Sequence, residues 1–345
     1  MTAGTGGGAV TAGTAAEGRF AVRRWSRTAS VAAAGSVVAV AALAGVPYYA
    51  GTSAEQPLVT LFCLVALASL WNLMAGFAGL TSFGQQAYLG AGAYALYAAA
   101  SMGLDPFAAI PLAAAAAGVL SLPVSFAVLR LSGGHFAVAT WVLAEILRLA
   151  VTLAPSAGGN TGVSLPGVSG YDALLRQALT YWWALAVAVC SVAGVYALAR
   201  SRFGLDARAV HSDPVAAASA GVAVGRTRRW AYCLSAFGTG AVGAVLFANT
   251  LYTQPGSVFG VQHSVAMMFM VVIGGIGTIE GPILGALVFF ALQQALSGYG
   301  PWYLVLLGAA GIAITLFAPR GLWGSLAAPR GWSLFPIGHH ISGTS

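Results

Sequence analysis

Apolar positions along this chain do not alternate with charged ones. They run in long blocks that carry no Asp, Glu, Lys or Arg: residues 30–54, 56–104, 106–129, 177–199, 230–279 and 281–319. A bilayer core of about 30 Å takes roughly 20 apolar residues per helix. The blocks therefore predict one helix, two, one, one, two and two. Residues 136–154 predict one more, although Glu145 and Arg148 lie inside that run. Together they predict an all-α integral membrane protein, a polytopic helical bundle of about ten spans.

Charge placement orients that bundle. The chain has 15 Lys+Arg against 8 Asp+Glu, and every one of the fifteen is arginine. Cytoplasmic loops carry the arginine excess. With an inner N-terminus and an even span count, Arg19, Arg23, Arg24 and Arg27 lie inside, as do Arg130, the six arginines between 200 and 229, Arg320 and Arg330. Only Arg148 and Arg176 fall elsewhere. The expectation is N-in/C-in. It divides the chain into a disordered basic tail (1–29), a transmembrane region (30–319) with one long inner loop (200–229), and a short inner tail (320–345).

Composition narrows the function. The chain is 59% hydrophobic and 7% charged, against about 25% charged in soluble domains. A soluble enzyme and a nucleic-acid binder are excluded. The absence of lysine excludes a P-loop, whose lysine reaches the phosphates, and Schiff-base lysine chemistry. No cofactor is expected in this chain. Cys63, Cys190 and Cys233 stand alone in apolar runs and read as small buried hydrophobes.

Four stretches depart from plain apolar helix. Gly76–Tyr94 holds five glycines with Ser82, Gln85 and Gln86. It reads either as irregular backbone beside a solute path, which membranes tolerate only within protein or at a wet cavity, or as a loop with a glycine-faced packing helix. Glu145 and Arg148 stand three apart on one helix face. They either help shape a polar path or neutralise each other and fix helix packing. Gly158-Gly-Asn160-Thr-Gly162 suits a tight outer turn. In the inner loop, Asp213 is placed as an N-cap and Pro214 as the first helical residue. The small run Val215–Ala220 and a stop at Gly221 complete a helix of about two turns. Flanked by arginines, it could seat in another protein's groove. Glu280, before Gly281-Pro282, either touches a partner or is solvated.

Four motifs in order resemble the permease family of branched-chain amino-acid and amide ABC importers, in its M-type subunit. The first is carried by Gly76, Gly79, Ser82, Gly84, Gly90, Gly92, Ala93 and Tyr94. Phe136, Ala137, Ala139, Thr140, Glu145 and Ile146 carry the second, and Gly204, Arg208, Ala209, Ala216, Ala217 and Gly221 the third. The run Met270–Gly285 carries the fourth. Where the family often has histidine this chain has Gln85, and His211 and Pro214 replace its usual arginine and glutamate. The resemblance implies half of a pore in the bacterial cytoplasmic membrane. Its partners would be a second homologous permease, two cytoplasmic ATPases that bind the ATP, and an extracytoplasmic solute-binding protein. It implies ATPase coupling at Arg208, Asp213, Pro214, Ala216, Ala217 and Gly221. The translocation path would take in Ser82, Gly84, Gln85, Gln86, Glu145 and Arg148. An ion-coupled secondary transporter or channel is the competing class, but it often shows inverted repeats and intramembrane acids.

Overall fold

A computed structural model describes residues 20–23, 27–49, 52–296, 298, 302–317, 321–327 and 340–343. The rest of the tails assigned to 1–29 and 320–345 lie outside the described residues. Nearly everything described is helix: α1 (Arg27–Ala44), α2 (Val46–Tyr49), α3 (Thr52–Asn72), α4 (Gln86–Ser101), α5 (Ile110–Val128), α6 (Gly133–Leu153), α7 (Ala173–Arg200), α8 (Arg202–Ser212), α9 (Pro214–Ser219), α10 (Val224–Thr250), α11 (Pro255–Val258), α12 (Gln262–Gly274), α13 (Glu280–Leu296), α14 (Trp302–Phe317) and α15 (Gly321–Ala327). Strand β1 (Phe20–Arg23) pairs antiparallel with β4 (His340–Gly343), and β2 (Val163–Ser164) with β3 (Tyr252–Thr253).

Six of the described helical stretches are long and apolar enough to cross a membrane: Glu55–Phe77, Ile110–Val128, Gly133–Leu153, Ala173–Arg200, Val224–Thr250 and Pro255–Gly274. Helix α4 falls short for a local reason. Its sixteen residues reach about 24 Å at 1.5 Å per residue, and irregular, non-helical backbone at 79–85 precedes it.

Helices α3 and α10 form the centre, each 72% buried over its most apolar stretch. The α10 sequence permits this because glycines replace bulk where backbones cross. A Cβ on Gly92 of α4 would lie 2.0 Å from the Gly240 carbonyl oxygen, and one on Gly243 would lie 1.9 Å from that of Leu89. Without a hydrophobic drive between helices in lipid, such close approach is what holds them. In the hairpin of α12 and α13, Gly285 does the same against Met270, 1.8 Å from its carbonyl oxygen.

At the helix periphery, α6 buries only the stripe Phe136, Thr140 and Ala144, spaced four apart on one face. Cys63 and Cys233 are buried as the sequence suggests; Cys190 is exposed on α7. Glu280 is buried at the start of α13 instead of solvated, because α13 begins inside the bundle against the 275–279 turn.

Candidate translocation and coupling site

Helix α3 does not stop at Asn72 but passes into a π-helical turn, Leu73–Phe77. π-Turns occur mainly as single turns at functional positions. Gly76 lies within this one, and its missing side chain leaves room for Asn72 to reach the 275–279 turn. A Cβ there would lie 2.2 Å from Asn72 Oδ1 and 2.6 Å from the Gly277 nitrogen. Asn72 Oδ1 accepts from the Gly277 N–H at 2.8 Å, and its Nδ2 donates to the Thr278 carbonyl at 2.7 Å. One amide thus ties α3 to the α12–α13 turn.

At Gly79 the backbone takes φ +69°, and the chain turns back alongside the π-turn. The Leu80 N–H bonds to the Met74 carbonyl at 3.0 Å. Trp71 Nε1 donates to the Ser82 carbonyl at 3.0 Å, and the Phe83 N–H donates to Thr140 Oγ1 at 3.2 Å. Gly84 packs against α6, where a Cβ would lie 2.1 Å from the Thr140 carbonyl oxygen. Irregular backbone is therefore enclosed by protein, as the membrane interior requires.

Ser82, Gln85 and Gln86 all lie buried in this re-entrant segment. Gln85 Nε2 donates to Ser235 Oγ at 3.1 Å, and Ser235 Oγ donates to the Leu70 carbonyl at 2.9 Å. Ser264 Oγ donates to Gln86 Oε1. Close by, Tyr88 OH donates to Tyr232 OH at 2.8 Å. The two sequence readings of this stretch merge: the backbone is irregular, and its polar groups knit α3, α4, α10 and α12. A buried polar network is stable only when its members are satisfied in this way.

Glu145 and Arg148 lie apart from that cluster. They sit on the exposed side of α6 as an ion pair, Arg148 Nη2 to Glu145 Oε1 at 2.5 Å.

The residues for which the resemblance implies coupling occupy the end of the bundle where α7 finishes. Asp213 caps α9: its Oδ1 accepts from the Val215 N–H at 2.8 Å and the Ala216 N–H at 3.1 Å. Pro214 takes the first helical position. Gly221, at φ +87°, closes α9, with the Val222 N–H bonding back to the Ala217 carbonyl at 3.0 Å. That is the Schellman stop its position suggests.

Three features were not legible beforehand. Helix α8 precedes α9, burying Gly204, Ala207 and Val210, and its three-residue spacing was the available signal. Arg208 turns inward, donating to the carbonyls of Ala199 at 3.1 Å and Gly204 at 3.2 Å, so it staples the end of α7. Ala217 is buried, while Val215 is 75% exposed at the tip. The last turn of α8 then meets the re-entrant segment directly: a Cβ on Gly79 would lie 3.1 Å from His211 Nδ1. Beside this contact is a cavity of about 320 Å³, lined by residues including Gly79, Thr81, Ser132, Phe136 and Arg228.

On the opposite face, the 158–162 turn is held by strand β3 and by Tyr252 OH donating to the Thr161 carbonyl. There Tyr171 OH bonds Asp105 Oδ2, and this bond chiefly holds the Asp105 carboxyl below its usual range. Among the described residues, no group of three or more His, Cys, Asp or Glu is placed to hold a metal.

Known proteins resemble this chain in sequence. At 26% identity over 278 residues, the chain is similar to the high-affinity branched-chain amino acid transport system permease protein LivM of Escherichia coli (strain K12). It is equally similar to the LivM protein of Salmonella typhimurium (strain LT2). The matched stretch covers 73% of this chain and 65% of each relative. No solved structure matches. The profile of the branched-chain amino acid transport system / permease component family matches residues 56–315, and the chain belongs to that family.

Proposed function

We propose that this chain is a permease subunit of an ABC importer. It contributes half of a translocation pore for branched-chain amino acids or related small amides and is driven by separate ATPases. The observation that carries the reading is the capped α9 knob, joined through α8 to the re-entrant segment at the Gly79–His211 contact. Ten passes with both termini in the cytoplasm complete the topology: α1, α3, α4 with its irregular lead, α5, α6, α7, α10, α12, α13 and α14. The arginines around α8 and α9 then face the cytoplasm of a bacterial inner membrane.

ATP bound by two partner subunits closes the ATPase dimer against Val215 and Ala216. Helix α8 passes that displacement to Gly79 and to the π-turn. The re-entrant segment carrying Ser82, Gly84, Gln85 and Gln86 acts as the moving wall of the path, backed by α6, which carries Glu145 and Arg148 on its other side. The bonds of Gln85 into α10 and of Gln86 into α12 support reading the present conformation as the one with this wall closed. Hydrolysis resets it. A solute-binding protein delivers cargo at the opposite face, near the 158–162 turn.

The test is uptake of radiolabelled leucine into vesicles. Accumulation that requires the ATPases, the second permease, the binding protein and ATP is the expected result. Accumulation by this chain alone, driven by an ion gradient, would establish a secondary transporter and overturn the reading.

A further inference from the structure

We infer that the cavity beside the Gly79–His211 contact binds a phosphate group, presented by an anionic phospholipid headgroup or by a soluble phosphate. Its placement at the inner surface rests on the orientation proposed above; the chemistry of the cavity does not. The cavity measures about 320 Å³ and has three walls: the re-entrant segment at Gly79–Thr81, the start of α6 with the residues just before it, and Arg228 of α10. Ligand pockets run from about 300 to 1,000 Å³, so this one suits a phosphate with its first substituents.

Arg228 supplies the charge. It is the one charged residue in the lining. Its Nε is buried without a hydrogen-bond partner, and among the described residues no carboxylate pairs with it. All three walls come from stretches, 56–104, 106–144 and 214–279, that contain no Asp or Glu. A buried donor left unmet is costly, more so in a charged group. The planar fork of a guanidinium matches phosphate oxygens. Arg229 does not share the task, since its guanidinium lies over the Phe126 ring, 3.8 Å from the centroid.

The start of α6 adds donors to the same space. Gly133 and Gly134 line the cavity, and nothing lies within 4 Å of a Cβ added to either. Packing therefore does not call for glycine here, and bare backbone lets a ligand approach closely. The first N–H groups of a helix lack intrahelical acceptors, and the Ser132 side chain caps none of them. The dipole of this 21-residue helix favours an anion at that end. Leu131 lines the cavity as well, and with Phe126 and Val138 it is exposed, an apolar rim on which the acyl chains of a bound lipid rest. A phosphate held here ties the re-entrant segment to α6 and α10 next to its contact with His211.

The experiment uses the assembled transporter in phosphate-free detergent solution. Dioctanoyl phosphatidylglycerol, inorganic phosphate and uncharged dioctanoylglycerol are titrated separately by calorimetry. Detergent opens both faces, so a failed orientation leaves the result standing. Saturable binding of phosphatidylglycerol is expected, with none of dioctanoylglycerol. Inorganic phosphate binding as tightly as the lipid assigns the site to a soluble phosphate; weaker or absent binding assigns it to a headgroup. Arg228→Gln is expected to weaken binding about tenfold or more. Arg202→Gln removes an equal charge from α8, outside the cavity, and is expected to leave binding unchanged. Gly134→Asp is the second site variant: an acid in the first turn favours the helix, so assembly is expected to persist while binding is lost. No saturable binding of either phosphate probe, equal weakening by Arg202→Gln and Arg228→Gln, or unchanged affinity in both site variants overturns the inference. A complex that imports leucine yet binds neither probe does so while leaving the permease reading intact. A purified chain that binds phosphatidylglycerol but recruits no ATPase overturns that reading alone.

Discussion

Gly79 lies directly against His211: a Cβ on the glycine would be 3.1 Å from the imidazole Nδ1 and 3.4 Å from the His211 Cα. The contact joins two segments 132 residues apart, the re-entrant backbone and the last turn of α8. Replacing Gly79 with alanine crowds it and forces a left-handed residue, at about 1–2 kcal/mol. Leucine uptake is expected to fall roughly tenfold, with ATP hydrolysis by the assembled complex retained. Parallel loss of hydrolysis and assembly would show that Gly79 acts on folding and not on coupling.

Val215 projects from α9 while Ala217 faces inward. Val215→Asp, alone or with Ala216→Asp, is expected to cut recovery of the ATPase subunits in affinity purification. Its effect on stability is expected to stay within about 0.5 kcal/mol, as for surface changes generally. Ala217→Asp is expected to lower the thermal transition as well, because it buries a charge under α9. Full ATPase recovery from the Val215 and Ala216 double variant would remove α9 as the docking knob.

Asn72 bonds two backbone groups of the 275–279 turn. Asn72→Ala leaves the Gly277 N–H and the Thr278 carbonyl without that partner, at about 1–3 kcal/mol per unsatisfied group. A lower unfolding temperature in detergent is expected, measurable by a thiol-reactive dye in a Cys190→Ser background, where the remaining Cys63 and Cys233 are buried.

Gly243 abuts the Leu89 backbone, with no room for a Cβ. Gly243→Leu is expected to prevent α4 from packing on α10, so that monodisperse protein is lost on gel filtration. Gly194→Leu on α7, where nothing lies within 4 Å of the added carbon, serves as the tolerated control.

Asp105 lies outside the membrane-crossing helices. Its carboxyl is lowered from 3.8, first by the Tyr171 hydroxyl and also by the Phe107 and Ala108 amides, against a raising effect of burial. A carboxyl whose folded pKa is depressed contributes stability that is fully present above its ordinary pKa and is lost as pH falls through the folded value. Tyr171→Phe removes the largest cause. Thermal stability measured from pH 6 down to pH 3 is expected to start lower in the variant and to fall less steeply than in the parent, so that the two curves converge at low pH. Superimposable curves would remove the Tyr171 bond as the cause.

The elements that could be read from residue order are those governed by neighbours in the chain. Asp213, Pro214 and Gly221 cap α9 through bonds within nine residues, so their roles were legible. The apolar blocks predicted the long spans for the same reason, since burial in lipid depends on composition along a single helix. The glycines of Gly76–Tyr94 announced irregular backbone.

What the sequence by itself determined was therefore a multi-pass helical chain, a short capped helix at Asp213–Gly221 and the family it resembles. Only the tertiary structure decided that Gln85 and Gln86 are closed into α10 and α12, that Arg208 turns inward while Val215 points out, that Glu280 is buried, and that Glu145 and Arg148 stand apart from the polar cluster. These facts depend on which face of each helix meets which neighbour across separations of up to some 200 residues. In a span that is apolar all round, hydrophobic periodicity has little left with which to mark that face.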